Sequence, residues 1–207
     1  MTLKQNYNAL LSQKLIEEFQ KRNLEGYYCE TKDDALKTTL ELLPKNAVIS
    51  CGGSATLDEI GLIAALKNGA YHFLDPRSGT DAKEMDDLAH QALNADYFLM
   101  GTNAITENGE LVNADGYGNR VSALIFGPKN VIIIAGLNKV EPDLDSAILR
   151  VKKTAARMII LRFSKDDPTF DGVDNAAKES ISQLVITSKS TVKGRIKVIL
   201  VGENLGF

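Results

Sequence analysis

The feature that most constrains this chain is a series of short apolar runs set between segments of helical periodicity. Tyr27 to Cys29, Ala47 to Ile49, Tyr71 to Leu74, Tyr97 to Met100 and Val131 to Ala135 are too short for buried helices and read as strands. Between them lie amphipathic helix patterns. Leu10, Leu11, Leu15, Ile16 and Phe19 recur at helical spacing and stop near Gly26. Thr31 followed by Asp34 marks a second helix start, with Ala35, Leu36, Leu40 and Leu43 inward and Pro44 beyond its end. Thr56 and Glu59 have capping-box spacing and predict a helix running on to Gly69. Asp81 with Glu84 predicts another. Strands alternating with helices over short links predict a parallel, sheet-based α/β fold. Such sheets bind ligands beyond the carboxyl ends of their strands.

After Asn103 the pattern changes. Ala104-Ile105-Thr106 and Leu111-Val112 flank Glu107-Asn108-Gly109-Glu110, which predicts a tight hairpin with a type I′ turn, because Asn and Gly both tolerate positive φ. Val121 to Phe126 reads as a short helix ended by Gly127-Pro128. Asp143 starts the longest helix, with Leu144, Ile148, Val151, Ala155 and Met158 inward and Arg150, Lys152, Lys153 and Arg157 on a solvated face. Ser164 to Ser180 is polar and is expected to be a surface loop; Leu184 to Thr187 and Ile196 to Val201 are two late strands. No linker divides the chain, so residues 1–207 are expected to form one domain.

Composition narrows the function classes. A net charge of -3 gives no reason to expect nucleic acid or an acidic membrane as partner. Two cysteines without C-x-x-C spacing, Cys29 and Cys51, argue against a disulfide framework or a zinc site. The first residues show no signal-peptide pattern and no apolar run is long enough to span a bilayer, so the expected setting is cytoplasmic.

Two stretches carry chemistry. Gly52-Gly53-Ser54-Ala55-Thr56 joins a strand to a helix. Its glycines let backbone N–H groups approach an anion and its hydroxyls add donors, or it is a plain turn in which Thr56 only caps. The Gly101-Thr102-Asn103 turn also follows a strand end. The segment Asn113-Ala114-Asp115-Gly116-Tyr117-Gly118-Asn119-Arg120 combines a carboxylate, two amides and a guanidinium. Arg120 suits a phosphate or carboxylate, and Asp115 suits a general base where its surroundings raise its pKa. Alternatively, Asp115 and Asn119 stabilise turns and Arg120 pairs with an acid. Asn138-Lys139 follows the Val131 to Ala135 strand and has the same two readings. His72 and His90 have no partner pattern and read as structural or surface residues.

These residues carry a resemblance. C-G-G-S-A-T-L-D-E-I-G-L, then G-T-N-A-I-T-E-N-G-E-L-V-N-A-D-G-Y-G-N-R-V, then F-G-P-K-N-V-I-I-I-A-G-L-N-K-V, then K-G-R-I-K-V-I-L-V-G-E-N-L-G-F resemble the lactate-utilisation (LUD) domain family, in the family's order, from about Ala9 to Phe207. The resemblance implies the three-layer α/β fold shared by sugar-phosphate isomerases and CoA transferases (NagB/RpiA/CoA-transferase-like), here with a small hairpin insertion. It implies a role near lactate oxidation, other lactate-utilisation subunits as partners, and, from fold relatives, a homo-oligomer. The N-G-E-L-V-N-A-D-G stretch is also similar to one in methylthioribose-phosphate isomerases. A small anionic metabolite (a sugar phosphate, CoA ester or hydroxy acid) is the expected ligand. Gly52, Gly53, Ser54, Thr56, Gly101, Thr102, Asn103, Asn113, Gly116, Asn119, Arg120 and Asn138 are the candidate binding residues. Asp115, Glu59 and Lys139 are the candidate catalytic ones. A non-catalytic sensing or docking subunit is the alternative. Family members often carry a cysteine cluster near the carboxyl end; here that region reads Asp167-Pro168-Thr169, Gly172-Val173-Asp174-Asn175 and Ser180-Ile181-Ser182-Gln183, without a cysteine. An iron–sulfur cluster needs thiolates, so no such centre, and no other metal or cofactor, is expected.

Overall fold

The computed structural model of the chain describes residues 1–164 and 169–207. The first helix, α1 (Leu3–Lys21), begins earlier than the apolar periodicity predicted, because Thr2 and Gln5 form a reciprocal capping box. Its buried stripe is Asn8, Ser12, Leu15 and Phe19, while Leu10 is exposed. Then follow β1 (Glu25–Cys29), α2 (Lys32–Glu41), β2 (Val48–Cys51), α3 (Ala55–Glu59), α4 (Leu62–Asn68) and β3 (His72–Leu74). A 3₁₀ turn (Pro76–Ser78) leads to α5 (Ala82–Ala92) and β4 (Tyr97–Met100). The caps read from sequence at Thr31 and Asp81 are made: each side chain accepts from the backbone N–H three residues on. One continuous helix from Thr56 to Gly69 is not formed. Gly61 sits at φ 74, a conformation an interior helical residue cannot hold, and splits the segment into α3 and α4. The capping box proposed for Thr56 and Glu59 is also absent: the cap position is Ser54, and Thr56 lies inside the helix.

The chain continues through β5 (Ala104–Thr106), β6 (Leu111–Asp115), α6 (Asn119–Phe126), β7 (Asn130–Gly136), a 3₁₀ turn (Leu137–Lys139) and β8 (Val140–Glu141). The hairpin between β5 and β6 is present, but its turn is not type I′. Gly109 alone has positive φ, at 85°, and its N–H donates to the Thr106 carbonyl at 2.8 Å. A type I′ turn needs both central residues at positive φ, and Asn108 is not.

Next come α7 (Leu144–Arg150), a π turn (Val151–Ala155), α8 (Ala156–Phe163), α9 (Phe170–Glu179), β9 (Gln183–Thr187) and β10 (Ile196–Val201). The π turn adds a residue to one turn of an otherwise continuous helix and rotates everything after it. Met158, expected inward, is therefore 40% exposed. Arg150, expected in solvent, is buried, with Nη1 donating to the Asn103 carbonyl at 2.6 Å and Nε to the Asn138 carbonyl at 3.3 Å. The polar stretch expected to be a loop holds α9, capped by Thr169 and anchored through Val173 and Ala177. Three of the residues that motivated the loop, Asp166, Asp167 and Pro168, lie outside the described residues.

Six strands form one parallel sheet in the order β1-β10-β7-β4-β2-β3. Alternate residues of its middle strands feed two separate cores. Leu99, Ile132, Ile134, Ile199 and Val201 face the layer made by α2, α3 and α4. Phe98, Met100, Val131, Ile133, Val198 and Leu200 face α1, α5 and α6. This is a three-layer α/β architecture, and it explains the unbroken apolar strands, since both faces are covered. Truncating Ile133, wholly buried in β7, to Ala costs about 2–5 kcal/mol. The hairpin is the middle of a second sheet, β8-β5-β6-β9, packed on α7 through a small core of Ala104, Val112, Ala147 and Val151. Among the described residues no helix is long and apolar enough to cross a membrane.

Candidate functional site

Parallel pairing aims β2, β4 and β7 the same way, so the turns that follow them meet. With the end of β6 and the inner face of α8 they enclose a cavity of about 670 Å³. Gly53, Ser54 and Thr56 come from the first turn, and Gly101, Thr102 and Asn103 from the second. Lys139 follows β7, while Asp115 ends β6 and Gly116, Asn119 and Arg120 follow it. Four candidates stand outside the wall. Gly52 supports Arg120, whose Cγ would be 2.5 Å from any Cβ placed there. Asn113 lies beneath: its Oδ1 accepts from the Asn103 N–H at 3.3 Å, and the Asn103 side chain accepts from the Ala114 N–H at 3.0 Å. Asn138 and Glu59 hold the segment that follows β10. Asn138 exchanges two hydrogen bonds with the Leu205 backbone, and Glu59 accepts from the Gly206 N–H at 2.7 Å.

Asp115 explains the shape of its loop. Gly118, at φ 98, begins α6 but has no side chain to cap it. The Asp115 carboxylate does so from upstream. Oδ1 accepts from the Tyr117 N–H at 3.2 Å, and Oδ2 from the N–H groups of Arg120 and Val121 at 3.0 and 3.2 Å. Arg120 Nε lies 3.6 Å from the same Oδ2. This is the bonding of a helix cap, with one N–H on Oδ1 and two on Oδ2.

Lys139 is different. It is 4% exposed, and its Nζ donates to Thr56 Oγ1 at 3.1 Å. Among the described residues no carboxylate lies within 4.0 Å of it. Burial pushes its ammonium down, Arg150 and Arg120 add to that, and Glu59 opposes from farther away; the result is about 7. The Ser54 hydroxyl makes no capping bond and faces the same floor: a Cβ on Gly101 would come 2.9 Å from Ser54 Oγ and 3.7 Å from Lys139 Nζ. Gly206, at φ 58, passes so close to Thr56 and Lys139 that it helps to shut the lysine from solvent.

Several lining residues went unread in the sequence. Arg77 on the 3₁₀ turn and Arg162 on α8 both donate to Asp58, and Val151, Ala156, Ile159 and Phe163 form an apolar wall. Arg77 follows an Asx turn, its N–H donating to Asp75 Oδ1 at 3.0 Å, and Asp75-Pro76 was the available signal for it; for the apolar residues it was the spacing of Val151, Ala156, Ile159 and Phe163 along one helix, obscured by the π turn. Where the family resemblance expects cysteines, Thr169 caps α9 and Asp174 takes Lys178 at 2.8 Å and Arg157 at 2.5 Å, which holds its carboxyl well below the usual range. Cys29 and Cys51, at the ends of β1 and β2, are free and buried. Among the described residues no group of three or more His, Cys, Asp or Glu is placed to hold a metal ion.

No curated protein matches the chain. A DUF162 family protein from Deinococcus radiodurans has a similar fold, with a TM-score of 0.53 at 12% identity, covering 97% of this chain and 99% of that one. The eIF2B delta structure from Chaetomium thermophilum reaches a TM-score of 0.35 at 21% identity over 54% of this chain and 48% of its own, too little to support an argument. The LUD domain matches residues 12–201, nearly the whole chain, and the chain belongs to the LUD domain family.

Proposed function

We propose that this protein binds a small anionic metabolite in the cavity at the strand carboxyl ends, in a role related to lactate utilisation. Family membership supports the general role. The observation that carries the ligand class is Lys139: a buried cation with a hydroxyl partner and no carboxylate within ion-pair distance among the described residues. Removing an ammonium from water without a counterion is costly. A bound carboxylate or phosphate supplies that counterion, and the Ser54 hydroxyl and Arg120 stand on the same cavity wall.

A lysine titrating near neutrality can also exchange a proton at working pH. Proton transfer, if the site is catalytic, then falls to Lys139 rather than Asp115. The second reading, a sensing or docking subunit, is favoured by the capping role of Asp115, the one side-chain carboxylate in the described wall.

The test is a thermal-shift screen of wild type and Lys139→Met with L-lactate, pyruvate, phosphosugars and CoA esters. A ligand present at a hundred times its dissociation constant adds about 2.7 kcal/mol of stability. A shift in wild type that is absent from the variant is expected. Equal shifts in both proteins, or none with any compound, would overturn the proposal.

A further inference from the structure

The cavity carries two cationic loci. The first is Lys139 with Thr56. The second is built by Arg77 and Arg162, whose Nη1 and Nη2 donate at 3.0 Å to opposite oxygens of Asp58. Thr56 and Asp58 are two residues apart on α3, about 200° around a helix axis, so their side chains leave on nearly opposite faces. The same short helix therefore sets the loci apart, yet both line one cavity. The helical segment that carries the apolar wall touches both: Val151 follows Arg150, which donates to the Asn138 carbonyl next to Lys139, and Ala156 and Ile159 come between it and Arg162 along the chain.

Charge at the second locus is also unbalanced. Arg77 and Lys67 both reach Asp75, and Arg77 and Arg162 share Asp58, so three cations meet two carboxylates among the described residues. Arg162 uses one of its nitrogens in that pairing and Arg77 keeps Nη2 free of a described partner. Free guanidinium edges on a cavity wall suit a phosphate or carboxylate. Size points the same way: cavities of roughly 300–1,000 Å³ hold ligands of cofactor bulk, and a three-carbon acid would leave most of this one to water.

The geometry points to a ligand with two anionic groups joined by an apolar stretch, one group at Lys139 and the other at Arg77 and Arg162. This rests on the anion-binding reading above and adds to it a second subsite and a larger ligand. Whether the groups are phosphates or carboxylates is for the experiment to separate.

Calorimetry on the full chain uses matched probes: hexane-1,6-diyl bisphosphate against hexyl phosphate, and suberate against octanoate. The expected result is that one of the two bis-anions binds about tenfold or more tightly than its single-ended match, the scale of one charge-assisted hydrogen bond. In Arg162→Gln, checked for an unchanged melting temperature, that ratio falls to about one. Should Arg162→Gln unfold, Arg77→Gln, which also removes one cation of the pair, gives the same reading. Equal affinity within both pairs, or a ratio unchanged by the substitutions, overturns the second subsite while leaving single-anion binding at Lys139 standing. Failure of all four probes, with lactate or a phosphosugar still binding in a Lys139-dependent way, also overturns it. If those bind neither, the parent reading falls as well.

Discussion

Replacing Asp115 by Ala should be among the more damaging single substitutions near the cavity, and for reasons unconnected with catalysis. The carboxylate accepts three backbone N–H bonds, two of them from the first turn of α6, and losing a side chain that caps a helix costs about 0.5–2 kcal/mol. Arg120 then stays largely buried, its side chain 14% exposed, without its counterion. Breaking a buried pair from one side costs about 3–5 kcal/mol. Here the separation is a long 3.6 Å, and Arg120 Nη2 keeps the Ala114 carbonyl, so the lower part of that range applies. The two effects come to about 4 kcal/mol, or a fall of about 8–16 °C in melting temperature at this chain length. Asp115→Asn keeps an acceptor for part of the cap and should lose about half as much. Urea titration followed by circular dichroism reads both, with the midpoint falling and the slope unchanged. An Ala variant within about 0.5 kcal/mol of wild type would refute the capping account and return Asp115 to the list of chemical groups.

Two further outcomes follow from buried titratable groups. The Lys139 ammonium is depressed to about 7 in the folded protein, against its ordinary 10.5 when unfolded. Between those values the unfolded state binds the extra proton, so stability attributable to Lys139 rises with pH through that window and is lost as pH falls through about 7. The stability difference between wild type and Lys139→Met, measured by denaturation from pH 6 to 10, should climb above pH 7 and be flat below; a flat difference throughout would rule out the shift. The thiols of Cys29 and Cys51 are pushed up by burial, Cys51 to about 12. A disulfide reagent at pH 8 should therefore label neither in the native protein and both in denaturant, and fast native labelling would contradict the packing.

How much of this was legible in the sequence differed by the distance over which the determinants act. β2, β4 and β7, with the caps at Thr31, Asp81 and Asp143, were readable because apolar runs and side-chain caps are local. The exposure of Met158 was not, because one π turn changes the helical phase after it and no residue type announces it. Nor was the burial of Arg150, which precedes that turn and is held by the Asn103 and Asn138 carbonyls, partners that only the tertiary fold brings to it. Helix α9 was masked by polar composition; two small inward contacts, Val173 and Ala177, and the ion pairs of Asp174 hold it. In the cavity, the turns after β2 and β4 and the stretch from Asp115 to Arg120 were found from strand ends and glycines. Arg77 and Arg162 were not, because they are brought together by a shared ion-pair partner, Asp58 on α3, a meeting of distant segments that only the tertiary fold decides.

The position of β10 has a consequence for how the chain is made. β1 has a single neighbour in the large sheet, β10, and β10 is also what joins it to β7. As the chain leaves the ribosome, Glu25–Cys29 must wait for Ile196–Val201 before it can pair. Until then β1 and β7 each present a bare edge able to pair with another chain. Such long-range parallel closure is slow and exposes intermediates to aggregation. A chain interrupted before Ile196 should therefore be a client for chaperones rather than a smaller working protein.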